Sequence, residues 1–269
     1  MDTPLVMGVV NVTPDSFSDG GRFLDAGAAL AHARRLISEG ADLLDIGGES
    51  TRPGAAPVAE AEEIARIVPL IEQIRRESSV RISIDTMKPA VARAAVVAGA
   101  DMWNDITALG WSPDSPAVAA ELGCEVALMH MQGDPLTMQQ DPRYQDAVGE
   151  VSGFLHARAA AAIAAGVRPE RIWLDPGIGF GKTLAHNLGL LRGLGVLQAG
   201  GFPVLLGVSR KRFLRAIDPS AVEATDRLGG SLAGVLWAAA QGVKAVRVHD
   251  VRETVQALKV WAAIGEDGR

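Results

Sequence analysis

Residues 28–47 read AALAHARRLISEGADLLDIG, and the order of features in this stretch decides the fold. Ala28, Leu30, Ala33, Leu36 and Ile37 have the spacing of a helix with one buried stripe. Gly40 follows at the point where a helix needs a residue able to take the left-handed C′ conformation. LLDIG, at 43–47, is then almost continuously apolar, as expected of a parallel strand covered on both faces. The same order recurs along the chain. Gly99, Gly123, Gly166, Gly200 and Gly242 stand before MWNDI, EVALMHM, IWLDPG, VLLGVS and AVRVHDV. LVMGVVN opens the chain, and VRISIDT follows a helix that ends without glycine at Glu77 to Ser79.

These runs make eight candidate strands, and the stretches between them have helical spacing, as at Ile64, Ile67, Val68, Ile71 and Ile74. The commonest closed solution to eight alternations is an α/β fold, the (β/α)8 TIM barrel, with an open doubly wound sheet as its rival. The length of 269 residues is close to the roughly 250 typical of such a barrel, and nothing resembles an interdomain linker. Residues 1–269 are therefore expected to form one barrel domain, with extended loops after strands 1 and 2. The longest non-periodic pieces, Asn11 to Phe23, Gly47 to Pro57, Met131 to Tyr144 and Gly207 to Val222, all follow strands. That is the face on which a barrel carries its chemistry.

Composition narrows the function. With 48% hydrophobic and 22% charged residues the chain can bury a large core. Its net charge of −6 disfavours nucleic acid and anionic membranes as partners, although a few basic side chains gathered in one cleft can still receive a small anion. The single cysteine, Cys124, excludes a disulfide framework and a thiolate zinc site, and suits a core position. The N-terminal apolar run is interrupted at Asn11 and lacks a basic leader, and no segment approaches the roughly 18 apolar residues of a membrane span. A cytoplasmic protein is expected.

The strand ends carry Asn11, Asp45 with Glu49 to Arg52, Asp85, Asn104, His130, Asp175, Ser209 with Lys211, and Arg247 with His249. Each has a bland reading taken alone. Asp85 could cap the next helix, Asp175 could form a turn with Pro176 and Gly177, His130 could be a satisfied structural group, and Lys211 with Arg212 could be a solvated face. Convergence argues otherwise, because a closed barrel gathers all eight ends at one rim where stability does not call for them. Asp85, Asn104 and Asp175 offer paired acceptors and donors suited to an amide-like heterocycle. Thr51, Arg52, Arg247, His249 and the N–H groups near Gly47 and Gly48 offer donors for a phosphate-like anion. GIGFGKT, at 177–183, is one residue short of a P-loop, and GVSRK, at 207–211, lacks the second glycine of a nucleophile elbow.

The same residues resemble one family, the dihydropteroate synthases of folate biosynthesis. The matching stretches are MGVVNVTPDSFSDGG at 7–21, DIGGESTRPGA at 45–55, SIDTMKP at 83–89, NDI at 104–106, MHMQGDPLTMQ at 129–139, DPGIGFGK at 175–182, GVSRK at 207–211 and RVHDV at 247–251. They run from the first strand to the last. The resemblance implies a transferase that condenses 6-hydroxymethyl-7,8-dihydropterin diphosphate with 4-aminobenzoate, giving 7,8-dihydropteroate and diphosphate.

By position, the resemblance assigns Asp85, Asn104, Asp175 and Lys211 to the pterin edge, with Arg247 stacked on the ring. It assigns Asn11 to a Mg²⁺ that bridges the diphosphate, and Thr51, Arg52, Arg247 and His249 to the diphosphate oxygens. Phe17, Thr51, Pro53, Phe180, Ser209 and Arg212 would surround 4-aminobenzoate, and Asp19 would stabilise a methylene cation left by departing diphosphate. Lys211 and Arg247 would also serve catalysis. Closure of the first two loops would exclude water from that cation. Arg212 departs from the family pattern, which often has a serine there. Two other readings share the pterin side: a methyltetrahydrofolate:corrinoid methyltransferase, and a catalytically silent pterin-binding barrel. The family also implies a homodimer, and the Ala/Leu-rich stretch Gly229 to Ala240 suits a helix buried on more than one side. Sulfonamides, as competitors of 4-aminobenzoate, are expected ligands.

Overall fold

The computed structural model describes residues 2–12, 22–50, 57–134 and 137–265. Strands and helices alternate along them: β1 (Leu5–Asn11), α1 (Arg22–Ser38), β2 (Leu43–Gly47), α2 (Glu60–Glu77), β3 (Arg81–Asp85), α3 (Pro89–Ala98), β4 (Met102–Asp105), α4 (Ser115–Leu122), β5 (Glu125–Met129) and α5 (Ala147–Ala164). They continue as β6 (Ile172–Asp175), α6 (Leu184–Arg192), α7 (Leu194–Gln198), β7 (Leu205–Gly207), α8 (Arg212–Ile217), α9 (Leu228–Ala240), β8 (Ala245–Val248) and α10 (Val251–Gly265). All strand pairs are parallel, in the order β6-β5-β4-β3-β2-β1-β8-β7. A parallel bridge between Leu174 and Val204 joins the two ends of this sheet, which closes the barrel and rules out the open doubly wound arrangement.

Each strand is apolar on both faces because two separate cores meet across it. Val10, Leu44, Ile46, Ile82, Ile84, Trp103, Val126, Leu174 and Val246 pack outward against the helices. Met7, Leu43, Met102, Ala127, Trp173, Leu205 and Ala245 fill the barrel interior as a smaller cluster. Alternation along a strand then places Asp45, Asn104 and Arg247 on the inner face, two residues beyond Leu43, Met102 and Ala245. Register sets them level with their neighbours. Asn11 pairs with Gly47, Gly47 with Asp85, and Asp85 with Asn104, so four consecutive strands end at one height.

The glycine pattern holds at Gly40, Gly99, Gly123, Gly166 and Gly242, all with positive φ, but not at Gly200. After α7 the left-handed residue is Gly201, at φ 79°. Gly200 meets a different demand, because a Cβ there would lie 2.1 Å from His156 Nε2. Cys124 is buried as expected. No described helix is long and apolar enough to cross a membrane.

Candidate active site

Of the residues expected at the pterin edge, Asp85 meets Arg247 directly and Asn104 meets it through Asp45. Its Nε donates to Asp45 Oδ2 at 2.6 Å and its Nη2 to Asp85 Oδ2 at 2.8 Å. Asn104 Nδ2 lies 3.3 Å and 3.4 Å from the two oxygens of Asp45, whose side chain is fully buried. One guanidinium thus faces two carboxylates at the base of the mouth. Burial works against its charge, but Asp45 and Asp85 outweigh that and hold the Arg247 pKa above its ordinary value. Asp85 is pushed up to about 7, chiefly by burial and partly by the neighbouring Asp45, against the pull of Arg247. Asp85 does not cap α3, whose N-cap is Lys88.

Asp175, at the end of β6, accepts from Gly177 N at 2.7 Å, so it does form the turn that its bland reading foresaw. Burial raises its pKa as well, opposed by Gly177 N–H and by Lys211. Lys211 Nζ stands 4.2 Å from the centroid of the Phe180 ring, a cation–π contact that joins the loops after β6 and β7. Burial lowers the Lys211 pKa to about 8, with Asp175 opposing. The lysine is presented by a strained residue: Arg210 has φ 58° and is held by Asp250 through Nε at 3.0 Å and Nη2 at 2.5 Å. Its N–H donates to Ser231 Oγ at 2.9 Å, and its carbonyl accepts from Arg227 at 3.0 Å. These contacts stabilise a left-handed conformation that an arginine does not adopt freely.

On the anion side, Asn11 ends β1 beside Gly47: the position of a Cβ on that glycine would be 3.7 Å from Asn11 Oδ1. His249 is neutral at ordinary pH, because burial, with Arg247 and Arg210 nearby, lowers its pKa to about 3. Its Nδ1 and its N–H lie 3.1 Å and 3.2 Å from Ser209 Oγ. Ser209 is therefore engaged with His249, and Arg212 is exposed in the first turn of α8. Phe17, Asp19, Thr51, Arg52 and Pro53 lie outside the described residues.

Residue-type reasoning left three groups without a role. Asp45 sits between Arg247 and Asn104, and the only sequence signal was a lone carboxylate in an apolar strand. Lys182 Nζ is buried and reaches His130 Nδ1 at 3.0 Å, His130 O at 3.2 Å and Phe180 O at 2.9 Å. Burial lowers its pKa to about 7. His130 is buried, contacts Lys182 through Nδ1 and sets its ring edge-on to Phe154 at 4.9 Å, as a structural group does. The third group is Arg210.

A closed parallel barrel with carboxylates, an amide and cations at its C-terminal mouth has the architecture of a barrel enzyme with a polar, charged pocket. Residues 7–249 match the family described as pterin binding enzyme. The chain is 49% identical to the dihydropteroate synthase of Neisseria meningitidis serogroup B, over 98% of this chain and 94% of that protein. A solved structure of Xanthomonas albilineans dihydropteroate synthase with 4-aminobenzoic acid superposes with a TM-score of 0.93 at 49% identity, covering 99% of this chain and 95% of that one. Another, of the same enzyme in complex with 7,8-dihydropteroate, gives a TM-score of 0.90 at 46% identity, again over 99% and 95%. The chain belongs to the dihydropteroate synthases, transferases of the pterin-binding enzyme family.

Proposed function

We propose that this chain condenses 6-hydroxymethyl-7,8-dihydropterin diphosphate with 4-aminobenzoate, releasing diphosphate and forming 7,8-dihydropteroate. The observation that carries the reading is the ring itself: Asp85, Asn104, Asp175, Lys211 and Arg247 stand at the mouth of one barrel, with Arg247 anchored by two carboxylates. Residues 1–269 act in this reading as one barrel domain. Asp85, Asn104 and Asp175 bind the pyrimidine edge of the pterin, whose N–H and C=O groups complement theirs. Lys211, a charge neighbour of Asp175, donates to the same edge. Arg247 keeps its flat face over the pterin while its edge is held by Asp45 and Asp85.

Chemistry follows from charge placement. The bond between the pterin methylene carbon and the diphosphate oxygen breaks first, and its electron pair leaves with diphosphate. The amine nitrogen of 4-aminobenzoate then bonds to that carbon and loses a proton to solvent or to the departed diphosphate. Thr51, Arg52 and Arg247 carry or donate toward the growing negative charge, and His249, being neutral, contributes a hydrogen bond only. Asp19 faces the cationic carbon. Phe17, Pro53 and Phe180 enclose the aminobenzoate ring. Its carboxylate lies toward Ser209 and Arg212.

Among the described residues no cluster of His, Cys, Asp or Glu could hold a metal by itself. Asn11 offers one neutral oxygen beside Gly47, which suits a cation that takes most of its ligands from water and substrate phosphates. Mg²⁺ would fit that donor set, with Asn11 as its protein ligand, and would supply positive charge to the leaving group.

A homodimer is part of this reading. On α9, Ser231, Val235, Ala238 and Ala239 face inward, while Trp237 on the same helix is 45% exposed. An apolar helix with only one face covered suits a second copy.

The decisive experiment incubates the purified protein with the pterin diphosphate, 4-aminobenzoate and Mg²⁺, and measures dihydropteroate and diphosphate together. Equal amounts of both are expected. Folded protein that yields neither would overturn the assignment, and methyl transfer from methyltetrahydrofolate in the same preparation would support the corrinoid methyltransferase instead.

A further inference from the structure

Lys88 stands just before α3, outside the ring, and its side chain is only 6% exposed. Its ammonium donates to Glu49 Oε2 at 2.5 Å, Val58 O at 2.6 Å and Glu63 Oε2 at 2.7 Å, which uses all three of its donors. Glu49 and Val58 lie at opposite ends of one loop, Glu49 two residues after β2 and Val58 two residues before α2. These ends are also tied to each other, because Val58 N–H donates to Glu49 Oε1 at 3.3 Å. Next to Glu49, Gly48 O accepts from Arg66 Nη1 at 2.7 Å, and a Cβ on Gly48 would come within 2.9 Å of both Glu63 Cγ and Ile67 Cγ2.

A buried cation with two buried carboxylates is a poor source of stability, since desolvation offsets most of the attraction and apolar residues of similar volume serve as well. What such a cluster does supply is geometry. Lys88 follows Asp85 by three residues, and the turn between them is rigid: Lys88 N–H donates to Thr86 Oγ1 at 3.2 Å, and Trp103 Nε1 donates to Thr86 O at 2.7 Å. The groups that hold the loop ends and the carboxylate of the pterin side thus share one short segment. The loop between those ends carries Thr51 and Arg52 in the sequence.

We propose that Lys88 is a positioning residue, pinning both ends of the Thr51–Arg52 loop to the turn that carries Asp85 and so fixing the diphosphate side of the site relative to the pterin side. The proposal rests on the synthase reading given above. Glu63 is the buried counter-charge that keeps Lys88 in place, and Glu49 is its link to the loop.

Glu49→Ala tests the pin without leaving a charge unpaired in the core, because the Lys88–Glu63 pair remains. Amide hydrogen exchange in residues 48–58 should accelerate in the full-length variant. At equal folded concentration, KM for the pterin diphosphate should rise and kcat fall, together lowering kcat/KM by about 10- to 100-fold, the scale of a misplaced binding element. The dissociation constant of 6-hydroxymethylpterin, which lacks diphosphate, should stay within about twofold, and Glu49→Gln should recover part of the loss. Unchanged exchange, or faster exchange with wild-type KM and kcat per folded molecule, would overturn the proposal, as would equal weakening of 6-hydroxymethylpterin. If the wild type itself forms no dihydropteroate, the synthase reading fails separately. Calorimetry with inorganic diphosphate and Mg²⁺ then decides the pin, which is overturned if Glu49→Ala binds as wild type does.

Discussion

Arg247 Nε donates to Asp45 Oδ2 at 2.6 Å, so the guanidinium at the end of β8 is fixed by a carboxylate of β2, with β1 between them. Asp45 also lies beside the Asn104 amide, and it therefore orients two of the groups that face the mouth. Asp45→Asn should destabilise the protein by about 1.5–3 kcal/mol, the worth of a hydrogen bond to a charged group. Asp85 remains to balance Arg247, so the variant should fold. Urea unfolding and calorimetry with 6-hydroxymethylpterin check this together; a wild-type midpoint with wild-type affinity would remove Asp45 from the role.

Asp85 gives the unliganded protein a pH dependence of defined sign. Its pKa rises from an ordinary 3.8 to about 7 on folding, mainly through burial, so the folded state favours the protonated acid. The stabilisation from this group is full below about 4 and is lost as the pH rises through about 7. Asp85→Asn abolishes that titration. The difference in Tm, variant minus wild type, should increase between pH 4 and 7 and then level off. A flat difference across that range, measured by scanning calorimetry, would contradict the assignment.

Lys211 is expected to set an alkaline limit. Burial, opposed by Asp175, lowers its pKa to about 8, so the ammonium is present below that pH and is lost above it. If the charge serves binding or turnover, kcat/KM should fall tenfold per unit above about pH 8, because that ratio reports groups of the free enzyme. Lys211→Arg should be slower throughout but free of this limb, since arginine does not titrate there. An identical limb in the variant would assign it to another group.

Gly177 is irreplaceable for a reason separate from chemistry. Its φ is +64°, and a Cβ would lie 1.9 Å from His130 O. Gly177→Ala should cost more than about 2 kcal/mol, combining left-handed strain with a backbone collision. Gly195, in α7, has open space around it and ordinary φ, so Gly195→Ala should be neutral or stabilising by about 0.5–1 kcal/mol. Thermal melts of both variants check the contrast, and equal Tm values would refute it.

The barrel was legible because its signals are local. Gly40 closes a helix and LLDIG begins a strand in the same order that returns at Gly99, Gly123, Gly166 and Gly242, and each step depends only on nearby residues. The exchange of Gly200 for Gly201 shows the limit of that logic: both glycines follow α7, but Gly201 takes the left-handed conformation while Gly200 is packed against the distant His156. Asp85, Asn104, Asp175, Lys211 and Arg247 could be named because they lie at strand ends or in the loops just beyond them. The contacts that orient them could not. Asp45, Arg210 and Lys88 act through residues 202, 40 and 39 positions away, Arg247, Asp250 and Glu49.

The sequence by itself determined the order of elements, the face on which polar residues gather and the family, since periodicity, helix-ending glycines and strand-end motifs are all encoded over a few neighbouring residues. Only the tertiary structure decided closure, register and charge state. The Leu174–Val204 bridge closes the sheet, the pairing of Asp85 with Asn104 and Gly47 levels the ring, and burial turns His249 neutral while lifting Asp85 to about 7. The physical reason is common to all three. Hydrogen-bond register and desolvation belong to groups far apart in the chain, and their values exist only once the barrel has brought those groups together.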